Sequence, residues 1–266
     1  MKKSAINTIS LIVPVFNQEK TVRQDIKGII KTMDKLRYPY EIIVVVDGMS
    51  DRSYEEACKI KSSKLHVIGY SENKGKGNAV RFGMAKAKGE IIAFIDSGMD
   101  LNPNGISMLL EHFEWYQADI IVGSKLHPAS KVNYPFARKI LSFGYRSVVK
   151  CFFGLSVKDT QVGIKLFKRE TLEAVLPRLL VKTYAFDIEI LVVAYYLGFR
   201  RIYEAPVELD FTGNSSVTSS NFWKVISLML WDTASVFYRL KILRYYDDVN
   251  KKNWKFDPDL NFRPLT

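Results

Sequence analysis

The 266 residues are 47% hydrophobic and 25% charged, with 15 Gly and 9 Pro, a globular composition that excludes disorder, collagen and coiled coil. The chain carries 39 Lys+Arg against 28 Asp+Glu, a net charge of +11 that favours anionic partners such as phosphorylated substrates or anionic lipid. Cys58 and Cys151 lack a CxxC spacing, no secretory segment opens the chain, and no run reaches the roughly 18 apolar residues of a spanning helix, so a reduced cytoplasmic setting is expected.

Ile9 to Phe16 (ISLIVPVF) is a buried-strand run, and after Asn17 the residues Val22, Ile26, Ile29, Ile30 and Met33 share one helical face. Glu41 to Asp47 (EIIVVVD) is continuous and β-branched, as a strand covered on both sides of a parallel sheet should be. A polar GMSD turn, a short helix over Glu55 to Ile60 and the strand HVIGY follow. NKGKGN opens a helix over Ala79 to Lys88, EIIAFID is a further buried strand, Pro103 to Tyr116 reads as a helix and Asp119 to Val122 as a strand. This alternation predicts an α/β fold: a mostly parallel, doubly wound sheet with helices on both faces.

After Val122 strict alternation stops. Phe136 to Phe153 reads as a helix in which Arg138, Ser142, Arg146 and Lys150 recur every fourth residue beside an apolar face of Leu141, Tyr145, Val148, Val149 and Phe152. The strand QVGIKLFK, a helix from Glu170, the helix DIEILVVAYYLG and the strand RIYEAPVEL complete a domain over residues 1–215. Residues 216–266 read as an extension, with a loop GNSSVTSSN, an aromatic-rich amphipathic helix over Phe222 to Tyr246 and a polar, Pro-broken tail.

In doubly wound sheets ligands bind beyond the carboxyl ends of the strands, which brings the loops at Asn17, Asp47 and Asp96 to one edge. Each of Asp47, Asp51, Asp96 and Asp100 taken singly also fits ordinary turn vocabulary. The set of four on one edge points to a metal ion and a polyphosphate. NKGKGN, with two Gly and two Lys before a helix, suits a phosphate cradle but is neither a P-loop nor a Rossmann fingerprint.

In order, SLIVPVFNQEKTV, EIIVVVDGMSD, NKGKGNAVRFGMAKAKGEIIAFIDSGMDLNP, VGSK, ARKILSFGYRSVVKCFFG, VKDTQVGIKLFKRE and YAFDIEIL resemble glycosyltransferase family 2, and within it the polyprenyl-phosphate enzymes such as dolichyl-phosphate mannose and glucose synthases. The KDTQVGIKLFKRE segment looks closer to the glucose-transferring branch. The resemblance implies a GT-A type fold and inverting, metal-dependent transfer of a hexose from a UDP-glucose or GDP-mannose type donor to polyprenyl or dolichyl phosphate. Its setting would be peripheral, at the cytoplasmic membrane face. Pro14, Gln18, Asp47, Asp51 and Lys76 would hold the nucleotide sugar. Asp96, with Asp100, would hold Mg²⁺ or Mn²⁺. Ser124, Lys125, Arg138, Ser142 and Gln161 would bind the acceptor phosphate, and Asp96, Asp159 and Asp187 would serve catalysis.

The chain departs from the family pattern at several positions. Val46 replaces the first acid of DDGSxD, Gln18 stands for a Glu, and DSGMD puts Gly98 in the second acidic slot of DxDxQ with Asp100 where Gln is usual. Lys125 stands for an Arg, and Ser216 for a Lys after the last strand. Two other readings stay open: a family 2 enzyme with a saccharide or small-molecule acceptor, using Asp159 or Asp187 as base, and a non-catalytic nucleotide-sugar-binding homologue. Nucleic acid would explain the charge but not the ordered acidic loops.

Overall fold

The chain runs β1 (Ile9–Val15), α1 (Val22–Met33), β2 (Tyr40–Asp47), α2 (Ser53–Cys58), β3 (Leu65–Tyr70), α3 (Lys76–Met84), β4 (Ile91–Ile95), α4 (Gly105–Trp115), β5 (Ile120–Ser124), α5 (Phe136–Phe153), β6 (Ile164–Lys168), α6 (Arg169–Val175), α7 (Phe186–Tyr196), β7 (Ile202–Pro206) and α8 (Phe222–Phe237). This computed structural model describes residues 8–97, 103–130, 136–183, 185–208 and 222–262, with backbone alone for 136–143 and 222–226. Its strands form one sheet in the order β3-β2-β1-β4-β6-β5-β7.

Every residue of β1 and β2 is buried, so both faces of the sheet centre are covered, which is why these runs are apolar without alternation. β3 lies at an edge and is only half-buried. Gly83 lets α3 settle onto the sheet: a Cβ there would lie 2.5 Å from Ile12 Cγ2 and 3.0 Å from Val45 Cγ2. α3 begins at Lys76, earlier than the pattern from Ala79 predicts, because Gly75 at φ +96° turns the chain directly into the helix.

The break in alternation after Val122 has a topological cause. β6 runs antiparallel to both β4 and β5, pairing Ile95 with Ile164 and Val122 with Lys165, while β5 and β7 are parallel. The sheet is therefore mixed on one side and parallel on the other. That single reversed strand carries the KDTQVGIK segment between the two halves of the sheet.

Two expectations for the C-terminal part are corrected. The helix expected through Tyr246 ends as α8 at Phe237 with a π-helical turn over Tyr238–Ile242, and Arg244 at φ +48° turns the chain back. The expected polar tail is not free along its described length: Trp254, Leu260 and Asn261 anchor it to the domain, and the segment leading into it is fastened as well. Tyr246 is fully buried and donates its hydroxyl to Glu189 Oε1 at 2.7 Å. Arg178 donates to the Tyr246 carbonyl at 2.9 Å and to Asp248 at 2.5 Å, its guanidinium 4.2 Å from the Trp254 ring, and Leu260 and Asn261 are buried. Sequence polarity misleads here because the anchors are single residues meeting partners far away in the chain. Glu189 Oε2 also accepts the backbone N–H groups of Leu180 and Val181, so one buried carboxylate ties α7 to two segments. Tyr246→Phe should lower the unfolding free energy by about 2 kcal/mol, the worth of a hydrogen bond to a buried charged group, read from urea titration of both proteins.

Candidate active site

The strand order changes direction between β1 and β4, the place where doubly wound sheets open a ligand crevice. The β1–β4 ladder ends at Ile12 and Phe94, whereas β1 and β2 stay paired to Val15 and Val46. Pro14 sits beyond the last β1–β4 pair, so its missing N–H falls where those strands part.

Asp47 ends β2 almost fully buried, its Oδ1 accepting the Lys74 N–H at 2.8 Å. Gly48, at φ +90°, brings the β2 loop so close to the β3 loop that a Cβ would lie 2.9 Å from the Asn73 nitrogen. Burial pushes the Tyr70 hydroxyl well above its usual pKa; Asn78 opposes that shift and Asp47 adds to it. Asp51 stitches the first two loops, Oδ2 accepting from Glu19 N–H and Oδ1 from Ser53 N–H, each at 3.0 Å. Burial raises its pKa, but these bonds and the Ser53 hydroxyl outweigh it and hold the carboxyl below its ordinary value. Ser53 Oγ in turn accepts the Gln18 N–H at 2.8 Å, and the Gln18 side-chain oxygen is buried with no hydrogen-bond partner among the described residues.

Asp96 follows β4 directly. The Lys76 ammonium straddles its carboxylate, donating to Oδ2 at 3.0 Å and lying 2.8 Å from Oδ1, a buried atom that receives no properly directed hydrogen bond among the described residues. The Asp96 N–H donates to the Gly163 carbonyl at 2.8 Å, and a Cβ on Gly163 would fall 2.0 Å from Asp96 Oδ2. Only glycine fits beside that carboxylate. Lys76 also faces Asp187 Oδ2 at 3.8 Å, and Asp187 Oδ1 accepts from Lys165 Nζ at 2.5 Å. Lys165 is fully buried and donates also to the Val162 carbonyl at 2.6 Å; burial pushes its pKa down and Asp187 pulls it part of the way back. Asp96, Lys76, Asp187 and Lys165 thus form a chain of alternating charge.

On the other flank, the β5–β6 register continued by two residues sets Ser124 against Gly163. Asp96 and Ser124 therefore lie on either side of Gly163, about 10 Å apart at two strand spacings. Ser124 Oγ and Gln161 Nε2 are buried atoms with no hydrogen-bond partner among the described residues. Asp159 Oδ2 accepts the Lys125 N–H at 2.9 Å, and the Asp159 and Lys158 N–H groups both donate to Glu204 Oε1 at 3.1 Å. The 158–163 segment is thereby pinned between β7 and the end of β5.

These positions bring together Pro14, Gln18, Asp47, Asp51, Lys76, Asp96, Asp187, Ser124, Lys125, Asp159 and Gln161 at one edge of the sheet. Gly98, Asp100 and Ser216 lie outside the described residues, as do the side chains of Arg138 and Ser142 on α5. Among the described residues no three His, Cys, Asp or Glu side chains gather around one point. Asp96 nevertheless offers a hard divalent ion two carboxylate oxygens, of which the buried Oδ1 accepts no hydrogen bond among the described residues, with further ligands available from diphosphate and water. Sequence reasoning missed Gly163 and Lys165. A lysine in the middle of the apolar run VGIKLF was the available signal. The two glycines of NKGKGN serve packing: a Cβ on Gly75 would meet the Lys182 carbonyl at 2.6 Å, and one on Gly77 would meet Phe186 Cβ at 2.5 Å.

Dolichyl-phosphate beta-glucosyltransferase of Drosophila melanogaster is 30% identical over 244 residues, covering 84% of this chain and 74% of that protein. The Homo sapiens protein of the same name is 28% identical over 241 residues, covering 85% and 74%. Among solved structures, glucosyl-3-phosphoglycerate synthase from Mycobacterium tuberculosis, in complex with Mn²⁺, uridine diphosphate and glucosyl-3-phosphoglycerate, is similar with a TM-score of 0.66 at 21% identity, over 86% of this chain and 80% of that one. That likeness bears out the GT-A type fold. With residues 10–176 matching glycosyl transferase family 2, the chain belongs to that family and is a glycosyltransferase.

Proposed function

We propose that the enzyme transfers glucose from a nucleotide sugar to a polyprenyl phosphate, inverting the anomeric carbon, with Mg²⁺ or Mn²⁺ on Asp96 and, by its place in the motif, Asp100. The observation that carries this reading is the Lys76–Asp96 pair at the switch point of the sheet, across β6 from Ser124 Oγ and near Gln161 Nε2, both without a hydrogen-bond partner among the described residues. The names of the relatives supply the sugar and the acceptor class.

The chemistry follows from the charges. A phosphate monoester is already largely ionised near neutral pH, with a second pKa of about 6, so its oxygen attacks without a strong general base. The enzyme's task is to hold that oxygen in line with the anomeric carbon and to stabilise the departing diphosphate. The Lys76 ammonium serves the diphosphate, a divalent ion would neutralise further charge there, and Pro14, Gln18, Asp47 and Asp51 shape the nucleotide side. Ser124, Gln161 and Lys125, with Arg138 and Ser142 of α5, receive the acceptor phosphate. Asp159 fixes Lys125 through its backbone, and Asp187 addresses the sugar hydroxyls.

A lipid acceptor also requires a bilayer-facing surface. Among the described residues no helix is long and apolar enough to cross a membrane. α8 and its continuation expose Leu228, Trp231, Tyr238 and Ile242, a spacing that sets all four on one helical face, with Lys241 and Arg244 exposed nearby. Aromatic and aliphatic side chains beside cations match an interfacial helix on anionic lipid, at the cytoplasmic face of a membrane.

Radiolabelled UDP- and GDP-sugars offered with polyprenyl phosphate should give labelled lipid with UDP-glucose; label appearing only on a water-soluble acceptor would refute the reading. Asp96→Asn should lower turnover by at least about a hundredfold, the loss typical of one positioned charge. Gly163→Ala should do the same while the protein stays folded by circular dichroism, because the added methyl displaces the Asp96 carboxylate. Co-sedimentation with vesicles containing anionic lipid should fall severalfold in Trp231→Asp; unchanged binding would remove α8 from the membrane surface.

A further inference from the structure

We propose that Lys76 keeps the divalent ion's seat on Asp96 until a diphosphate draws it away, so that the ion and the nucleotide load together. The inference rests on the metal reading of Asp96 given above. It starts from two carboxylates that face the ammonium, Asp96 and Asp187. Asp96 holds it closely, at 2.8 and 3.0 Å. Asp187 lies farther off, at 3.8 Å, and is already neutralised by the buried Lys165 ammonium, which leaves Asp187 a weak competitor. Of these two acids, Asp96 therefore holds Lys76 in the absence of ligand.

The oxygens that Lys76 straddles are the ones a divalent ion requires. An ammonium and a divalent ion on one carboxylate repel at contact distance, so the ion binds only as Lys76 departs. The backbone beneath Lys76 is fixed, since Gly75 and Gly77 are pressed against Lys182 and Phe186. Movement is left to the side chain, a flexible four-carbon stem whose ammonium lies 5.6 Å from the centre of the Phe94 ring. A diphosphate entering the crevice offers that ammonium a second, more highly charged partner. Lys76 then leaves Asp96 for the diphosphate, and the vacated carboxylate takes the ion. Each ligand removes an obstacle to the other, and linkage makes the gain reciprocal. A lysine acting solely as a phosphate ligand would weaken nucleotide binding when removed, but would not affect the ion alone. Placeholding predicts the opposite sign for the ion.

The test is the binding of Mn²⁺ to the full chain, read from the electron paramagnetic resonance signal of the free ion, with and without UDP or GDP. Without nucleotide, Lys76→Met and Lys76→Gln should bind Mn²⁺ at least about fivefold tighter than wild type, the low end of ordinary coupling between sites. Nucleotide should then tighten Mn²⁺ binding less in the variants than in wild type. The gain should vanish when Asp96→Asn is added to Lys76→Met. Equal or weaker binding of the ion in both single variants would overturn the proposal while leaving the metal reading intact, as would a gain that survives Asp96→Asn. No Mn²⁺ binding to any of the proteins, with UDP or GDP present or absent, would overturn the metal reading and this inference with it.

Discussion

The alternating series Asp96, Lys76, Asp187, Lys165 is the constraint around which the rest of the molecule is arranged. Lys165 is wholly out of water and Asp187 nearly so, and two charges in such a place are tolerable only in each other's company. The four side chains come from the end of β4, the first turn of α3, the first turn of α7 and the middle of β6. Only α3 and β4 are neighbours in the chain, while β6 and α7 come from its second half, so the series exists only when both halves of the sheet are in place. The positions that admit no side chain follow from the same demand. Gly163 makes room for the Asp96 carboxylate, while Gly75 and Gly77 let α3 approach the start of α7 until Lys76 reaches both acids.

The reversed strand β6 gives this arrangement its second half. A parallel strand in that position would deliver its carboxyl end, not its amino end, to the ligand edge. Running antiparallel, β6 instead starts there, and the 158–163 segment ahead of it passes between Asp96 and Ser124. One short stretch thus supplies a backbone acceptor to Asp96, a carboxylate to the Lys125 backbone and, from Gln161, an amide nitrogen without a partner among the described residues. The Asp96–Lys76 pair lies on one side of that stretch, and Ser124 and Lys125, whose N–H donates to Asp159, lie on the other.

Much of this was legible because the strands are regular. The runs at Ile9, Glu41 and Glu90 are continuous and β-branched, a pattern that burial on both faces imposes locally, and the acidic residues at their ends mark the ligand edge without any tertiary knowledge. What escaped depends on partners distant in the chain. Lys165 is a lone cation in an apolar run, and its place becomes intelligible only once Asp187, 22 residues on, is known to meet it. Gly163 reads as an ordinary strand-edge glycine until Asp96 is set against it. Tyr246 and Arg178 lie 68 residues apart, and neither is apolar enough to announce that it fastens the C-terminal segment to the core. The direction of β6 was hidden for a related reason: its composition is that of any buried strand, and direction is decided by the length and path of what precedes it.

α8 shows how a pattern can be correctly seen and still carry two meanings. Its sequence is apolar nearly all round, which neither a surface helix with one buried stripe nor a wholly buried helix explains. In the structure Thr233, Val236 and Leu240 face the domain, with Thr233 meeting the half-buried Tyr145 of α5 at 2.9 Å. Burial pushes that tyrosine's pKa up to about 12, so it stays a neutral partner at any physiological pH. This inner face alone accounts for the helix being docked. The outer face of Leu228, Trp231, Tyr238 and Ile242 contributes nothing to that docking and exposes a continuous apolar strip, with Trp231 73% accessible. A strip of that kind is costly in water and has a physical rationale only if something apolar covers it. The lipid acceptor of the proposed function supplies such a cover without requiring any further partner.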